Sequence, residues 1–89
     1  MRFRVGNLVV WSSQAGGKKR VKIGKVEAIV PPNTSITRAK GWWQLEQRFK
    51  RLHKLKQSGL RDHESYLVSA GNTLYRPRVE YLRPFVRGG

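Results

Sequence analysis

The alternation of apolar and polar positions divides the chain into three blocks. Residues 3–30 and 65–87 carry short runs of β-branched and aromatic residues, which favour strands. Residues 31–64 are polar and basic, with one segment at helical spacing. Because two or three strands do not make a stable sheet alone, we expect the two β blocks to form one sheet system, with the middle block inserted between its halves.

The first β block contains two predicted strands. Leu8–Trp11 is the first, and it follows a turn or bulge at Val5–Asn7, where Gly and Asn accept positive φ. Residues 12–19 form a loop by composition. In the second strand, Arg20–Val30, the parity of the apolar positions changes near Gly24-Lys25, which predicts a bulge or a sharp bend there.

The middle block holds one helix candidate, Thr37–Gln57, which makes a helical insertion of residues 38–58. Its apolar residues share one stripe, at i, i+3, i+7 and i+10. These residues are Trp42, Leu45, Phe49 and Leu52. Ser58-Gly59 ends the helix with a C-terminal glycine signal. A second face is basic and contains one aromatic residue, Trp43, which lies about 100° from Trp42 and groups with Lys50, Arg51 and Lys54.

The second β block reads as a hairpin and a short closing strand. Ser65–Ala70 and Thr73–Arg76 are the predicted hairpin strands, and Gly71-Asn72 is the tight turn between them. Residues 77–82 look like a single helical turn with Pro near its start. Arg83–Val86 is the predicted last strand.

Composition limits the function classes. Among 89 residues there are 19 Lys and Arg against 5 Asp and Glu, a formal net charge of +14. No cysteine is present, which excludes disulfides and thiolate chemistry. No apolar run reaches the ~18 residues of a membrane span, and the N-terminus lacks a secretory h-region. We therefore expect a cytoplasmic protein with no cofactor, metal or membrane partner, whose charge meets an anion, with nucleic acid first.

Two groups of cations are candidates for phosphate contacts. The first lies at the end of the predicted loop and in the strand after it, and its members are Lys18, Lys19, Arg20, Lys22 and Lys25. The second lies on the predicted helix, and its members are Arg48, Lys50, Arg51, Lys54 and Lys56. The alternatives are a lysine-protected edge strand for the first group and a solvated helix face for the second. Glu46 is the one carboxylate on the helix, with Lys50 at i+4, so the excess charge is not compensated there.

Base contacts, if any, are expected from Trp43 by stacking and from Arg76 and Arg78. The other large aromatic residues are more simply explained as the core of a small domain. These are Trp11, Trp42, Tyr66 and Tyr81.

Residues 62–64, Asp-His-Glu, are the one acid–base cluster in the sequence. Consecutive residues on a loop rarely converge on one ion or one reacting atom. We interpret this segment as a charged turn in which Asp62 or Glu64 pairs with Arg61, Arg76 or Arg78.

Several of these segments together resemble an SH3-like small barrel of the Tudor, KOW and chromo-barrel kind. The resembling residues are Val5–Trp11, Gly24–Val30, Ser65–Val68 and Val79–Leu82. The resemblance covers about 55 residues and implies one domain over residues 1–89. Residues 2–31 and 65–87 would form a mainly β, five-stranded barrel, with a one-turn helix before the last strand. The helical insertion departs from the plain family pattern. Residues 61–66 also resemble small bacterial and phage proteins, a similarity that implies no activity.

SH3-like barrels host many functions, so three hypotheses follow. The first is a non-catalytic nucleic-acid-binding module that acts through the two cation groups. The second is an adaptor that docks on a protein or a nucleoprotein complex. The third is an enzyme similar to type II dihydrofolate reductases, whose Val-Gln-Ile-Tyr motif aligns with residues 72–75. Tyr75 matches that motif, but Thr73 replaces the glutamine, which argues against the enzyme. The pattern favours neither DNA nor RNA, and it leaves the oligomeric state open.

Overall fold

The computed structural model describes residues 3–15 and 17–86. Within them, five strands form one antiparallel sheet in the order β4-β3-β2-β1-β5. The strands are β1 (Leu8–Ala15), β2 (Lys18–Val30), β3 (Ser65–Ala70), β4 (Thr73–Tyr75) and β5 (Arg83–Pro84). Two short α-helices lie between β2 and β3, α1 (Trp42–Arg48) and α2 (His53–Lys56). One-turn 3-10 helices occupy Ile36–Arg38 and Val79–Tyr81.

The first two strands form a long hairpin, and the loop predicted for residues 12–19 is wrong. Strand pairing runs without a break from Leu8 opposite Lys25 to Ala15 opposite Lys18. Gly17, with a φ of 80°, lies in the connection between the strands. The polar composition of this segment is typical of a loop, but composition alone does not show cross-strand pairing, which lets a polar segment continue as a strand.

Two apolar clusters pack on opposite faces of the sheet. The inner face is lined by Phe3, Val9, Trp11, Val26, Tyr66, Val68, Val79 and Leu82. The outer face is covered, over part of its area, by the helical insertion. That cluster contains Ala28, Val30, Leu67 and Leu74 from the sheet and Trp42, Leu45, Phe49 and Leu52 from the insertion. The sheet therefore curves around one core and carries the insertion on its outside.

A β-bulge at Glu27 explains the parity change in β2. Val26 is opposite Val68, whereas Ala28 is opposite Leu67, so Glu27 is the extra residue. Val26 therefore contacts the inner cluster and Ala28 the outer one. The predicted bulge exists, two residues later than expected.

Gly24, the residue on which the bend was predicted, marks a close approach of two strands. A Cβ at this position would overlap the backbone oxygen of Ser69 and lie 2.8 Å from Cγ1 of Val68. Only glycine fits where β2 approaches β3 so closely.

The insertion is not the single helix that was predicted. α1 ends at Arg48, residues 49–52 are not helical, and Arg51 has a left-handed φ of 60°. In a continuous helix Arg48, Lys50, Arg51 and Lys54 would form like-charge pairs at i+3 and i+4, which destabilise it. Lys56 Nζ lies 2.8 Å from a Glu46 carboxylate oxygen, although a straight helix would separate these residues by about 15 Å along its axis. The apolar stripe nevertheless is buried as predicted.

Other predicted elements agree with the structure. Asn7 Oδ1 accepts a hydrogen bond from the Arg4 N–H at 2.8 Å, which closes the turn that contains Gly6. The β3–β4 hairpin turns at Gly71, and the one-turn helix precedes β5.

Strands β4 and β5 remain at opposite edges of the sheet, which is therefore not closed. No helix within the described residues has the length and apolar character needed to cross a membrane.

Candidate nucleic-acid interface

A groove of about 880 Å³ lies between the break in the insertion and the β3–β4 turn. One wall is formed by residues 48–51 and the other by residues 71–74. Among the described residues, the lining contains three exposed cations, Arg48, Lys50 and Arg51, and no carboxylate. Glu27 pairs with Arg48, whereas Lys50 and Arg51 have no ion pair among the described residues, so the groove keeps an excess of positive charge that attracts anions.

Both walls of the groove are shaped by left-handed backbone conformations. Arg51 has a φ of 60° where the insertion breaks, and Gly71 has a φ of 61° in the hairpin turn. The break places Lys50 and Arg51 in a non-helical segment. The turn presents Asn72 and Thr73, both exposed, across from them.

Glu27 fixes the position of Arg48 at one end of the groove. The guanidinium donates two hydrogen bonds to the Glu27 carboxylate, at 3.1 and 3.4 Å. Ser69 Oγ donates a third, at 2.6 Å. Burial opposes ionisation of Glu27, but the hydrogen bonds from Ser69 and Arg48 together with the charge of Arg48 outweigh it, so the pKa of Glu27 is lowered. The bulge residue thus joins the sheet to the insertion.

The first group of predicted cations is spread along β2, with its first three members at the far end of the β1–β2 hairpin. Lys18, Lys19 and Arg20 are exposed residues of β2 itself. Lys22 is half-buried, and its Nζ lies 5.1 Å from the centre of the Tyr75 ring. Lys25 is exposed and pairs in the sheet with Leu8 and Ser69. Strand alternation therefore divides these cations between the two faces, and they do not form one continuous patch with the groove.

Trp43 is 69% exposed on α1, as predicted. Its predicted neighbours are wrong, however. Because α1 ends at Arg48, the helical relation of Trp43 to Lys50, Arg51 and Lys54 does not exist. The residues one turn further along α1 are Glu46 and Gln47. Lys54 is exposed on α2.

Arg76 is buried, 8% exposed, and is held by the protein itself. Its guanidinium donates to Ser65 Oγ, to Ser58 Oγ and to the Gly59 carbonyl, at 3.1, 2.7 and 2.7 Å. Burial and the nearby charge of Arg61 lower the pKa of Arg76. These bonds tie the end of the insertion to β3, so we exclude Arg76 from the interface. Arg78 is exposed, beside the one-turn helix.

The predicted partners of the acidic turn are wrong. Asp62 pairs with His63, at 2.9 Å between Oδ1 and Nδ1, and Glu64 accepts a hydrogen bond from the Tyr66 hydroxyl at 2.6 Å. The hydrogen bond and the charge of His63 lower the pKa of Asp62. Arg61 instead donates to the carbonyls of Arg76 and Pro77, at 3.2 and 3.3 Å. Over residues 3–15 and 17–86, no three His, Asp or Glu side chains group into a metal site.

Of the aromatic residues assigned to the core, three are buried there, and Tyr81 is not. Tyr81 is 53% exposed and borders a shallow groove of about 310 Å³. The 3-10 turn buries Val79 instead. The wall formed by Asn72 and Thr73 was also missed, because nothing in the sequence relates the hairpin turn to residues 48–51.

No protein-family model, curated protein or solved structure matches this chain. The function is therefore inferred from the geometry of the chain itself.

Proposed function

We propose that this protein is a non-catalytic nucleic-acid-binding module whose main phosphate site is the groove between residues 48–51 and 71–74. One observation supports this above the others. Arg48, Lys50 and Arg51 line the groove without a carboxylate among the lining residues. The chain as a whole has a net charge of +14, so a polyanion lowers its self-repulsion.

Phosphate contacts fit the chemistry of the three cations. Arg48 is positioned by Glu27 and stacks near the Phe49 ring, with 5.1 Å between its Cζ and the ring centre. Lys50 and Arg51 have no carboxylate ion pair among the described residues. Each phosphate they neutralise releases condensed counterions, which is the main driving force of non-specific nucleic-acid binding.

Further contacts are proposed at the hairpin end and at α1. Lys18, Lys19 and Arg20 extend the cationic surface beyond the groove, and they position the nucleic acid without reading its sequence. The exposed Trp43 ring is a platform on which an unpaired base can stack. Trp43 is not among the residues that line the groove, so it adds to phosphate binding and is not required for it.

We also propose that the fold is an SH3-like barrel. The support is the antiparallel sheet around an inner core, the close approach of β2 and β3 at Gly24 and the one-turn helix before β5. The Trp11 and Tyr75 rings, on strands separated by two others, lie 5.7 Å apart, which reflects strong curvature of the sheet. The proposed function does not depend on this classification.

The groove is tested by removing two of its charges and comparing the result with a control variant of the same net charge. The groove variant carries Lys50→Gln and Arg51→Asn together, and Asn is chosen because it tolerates a left-handed φ. Its control carries Arg38→Gln and Lys40→Gln together, which removes two exposed cations outside the groove. Binding to a 12-nucleotide single strand and to a duplex is measured by anisotropy at several salt concentrations.

If the wild type contacts four to six phosphates, the slope of log K against log salt is roughly −3 to −6. The groove variant should lose about tenfold more affinity than its control and about two units of slope. Equal losses in the two variants would show that only diffuse charge acts, and salt-independent binding would exclude the electrostatic mechanism.

A further inference from the structure

Half of the outer face of the sheet is apolar and uncovered. Val21 and Ile23 are 67% and 49% exposed on β2, and Leu8 is also exposed on β1. Val10 is opposite Ile23 and half-buried. We call these four residues, Leu8, Val10, Val21 and Ile23, the open patch.

Strand alternation places the open patch on the face that the insertion covers further along the sheet. Val21, Ile23 and Lys25 share a face of β2 because they are two residues apart. Lys25 is opposite Ser69, which shares its face of β3 with Leu67. Leu67 contacts the insertion cluster. The chain therefore covers one half of this face with its own amphipathic segment and leaves the other half open.

The border of the open patch is cationic. Lys25 pairs with Leu8, and Arg83 pairs with Val10. Lys19 and Arg83 line the adjoining groove of about 310 Å³ together with Val10, Val21 and the exposed Tyr81. Within the part of the chain that the structure describes, no carboxylate lines that groove. An apolar centre with a charged border is the arrangement of a protein interface, and the sign of the border selects an acidic partner.

We propose that the open patch binds an amphipathic helix of a partner protein, whose apolar stripe is flanked by carboxylates. A second copy of this chain fits poorly, because it would bring the cationic borders of two highly positive molecules together. Nucleic acid fits poorly as well. Single strands bind on aromatic platforms, whereas the patch itself is aliphatic. The proposal is independent of the phosphate groove.

The test uses a labelled peptide derived from the chain's own covering segment. Residues 42–56 are synthesised with Arg48, Lys54 and Lys56 replaced by Glu, Lys50 by Gln and Arg51 by Ala, which keeps the apolar stripe, reverses the net charge and removes the like-charge pairs at i+3 and i+4. The peptide of native sequence is the matched control. Binding to the full-length protein is measured by anisotropy, in parallel with a 12-nucleotide single strand.

We expect the acidic peptide to bind about tenfold tighter than the basic one. Val21→Ser with Ile23→Ser should weaken peptide binding about tenfold and leave nucleic-acid binding unchanged, because it removes the centre of the patch. Leu60→Ser, which removes an exposed apolar side chain elsewhere, is the control for non-specific hydrophobic binding. It should change neither peptide binding nor nucleic-acid binding.

Three results would overturn the proposal. The first is no binding of the acidic peptide, or equal binding to the double variant, checked as folded by circular dichroism. The second is loss of nucleic-acid binding in place of peptide binding in that variant. The third is a dimer of the wild-type protein, detected by sedimentation, that does not form in the double variant. In that case the open patch would bind a second copy of the chain.

Discussion

The two halves of the outer sheet face are built from the same kinds of residue, but one half is buried and the other is exposed. Ala28, Val30 and Leu67 are fully buried under the insertion, whereas Val21 and Ile23, on the same strand as the first two, remain exposed. The difference does not come from local sequence, because β-branched residues occupy both halves. It comes from where the insertion packs after it leaves the end of β2.

The position of an apolar residue in a strand pattern therefore predicts which face of the sheet the residue lies on, but it does not predict how far the residue is buried. Each half of the face is flanked by cations, Arg48 on the covered half and Lys25 with Arg83 on the open one. On the covered half the bulge carboxylate, Glu27, compensates Arg48. The open half has no such carboxylate in its groove lining, which is why it suits an acidic partner.

The largest expected effect is on the covered half. Trp42→Ala removes a buried indole from the insertion cluster and should lower the free energy of unfolding by about 3–5 kcal/mol, a large part of the stability of so small a domain. Urea denaturation measures it. The matched control is Trp43→Ala, an adjacent and exposed Trp, which should leave the unfolding midpoint nearly unchanged. Equal destabilisation by both variants would contradict the placement of the two rings.

On the inner face of the sheet, behind the boundary between the two halves, Gly24→Ala should cost about 1–3 kcal/mol, because the new methyl group overlaps the Ser69 backbone. Thermal unfolding measures the change. Ile23→Ala, one residue earlier and exposed, is the control and should have a much smaller effect. If Gly24→Ala is as well tolerated as the control, strands β2 and β3 do not approach as closely as described.

Glu27 links the covered half to the insertion through a charge, so its contribution depends on pH. The pKa of Glu27 is lowered in the folded state, so its stabilisation is fully present above the unfolded pKa of about 4.3. It is lost as the pH falls through the lower folded value.

Glu27→Gln should therefore destabilise the protein by about 1 kcal/mol at pH 7 and reduce the loss of stability on acidification from pH 6 to 3. Melting temperatures across that range measure both effects. Glu80→Gln, at an exposed carboxylate, is the control. An unchanged pH profile in the Glu27 variant would show that another group titrates with unfolding.

The smallest effect is expected on the open half. Ile23→Ser should change the free energy of unfolding by no more than about 0.5 kcal/mol, since the side chain already contacts solvent. Val26→Ser, three residues later and fully buried in the inner cluster, is the control and should be strongly destabilising. Strong destabilisation by Ile23→Ser would mean that the open half is covered in the folded protein.

Sequence periodicity predicted most strands and the buried stripe of the insertion. Strands β3 and β4, the turn at Gly71 and the burial of Trp42 and Leu45 followed from local patterns. The hairpin end at residues 12–15 did not, because polar residues there are strand residues only through their pairing with β2. Arg76 was expected at a surface, and its burial depends on Ser58, Gly59 and Ser65, which the fold brings together.

The candidate groove was predictable only in its parts. Arg48, Lys50 and Arg51 were identified as phosphate ligands from their charge, but a continuous helix would have spread them around its circumference and grouped two of them with Trp43. The end of α1 and the left-handed Arg51 take Lys50 and Arg51 out of the helix that carries Trp43, and all three cations face the β3–β4 turn across the groove.

The sequence by itself determined the charge excess, the two β blocks and the amphipathic stripe. These depend on composition and on contacts between near neighbours, which local spacing encodes. Only the tertiary structure decided where the helix breaks, which face Ala28 and Val30 occupy after the bulge, and which half of the outer face the insertion covers. Those features depend on contacts between residues far apart in the chain, where the packing of the whole domain outweighs local preference.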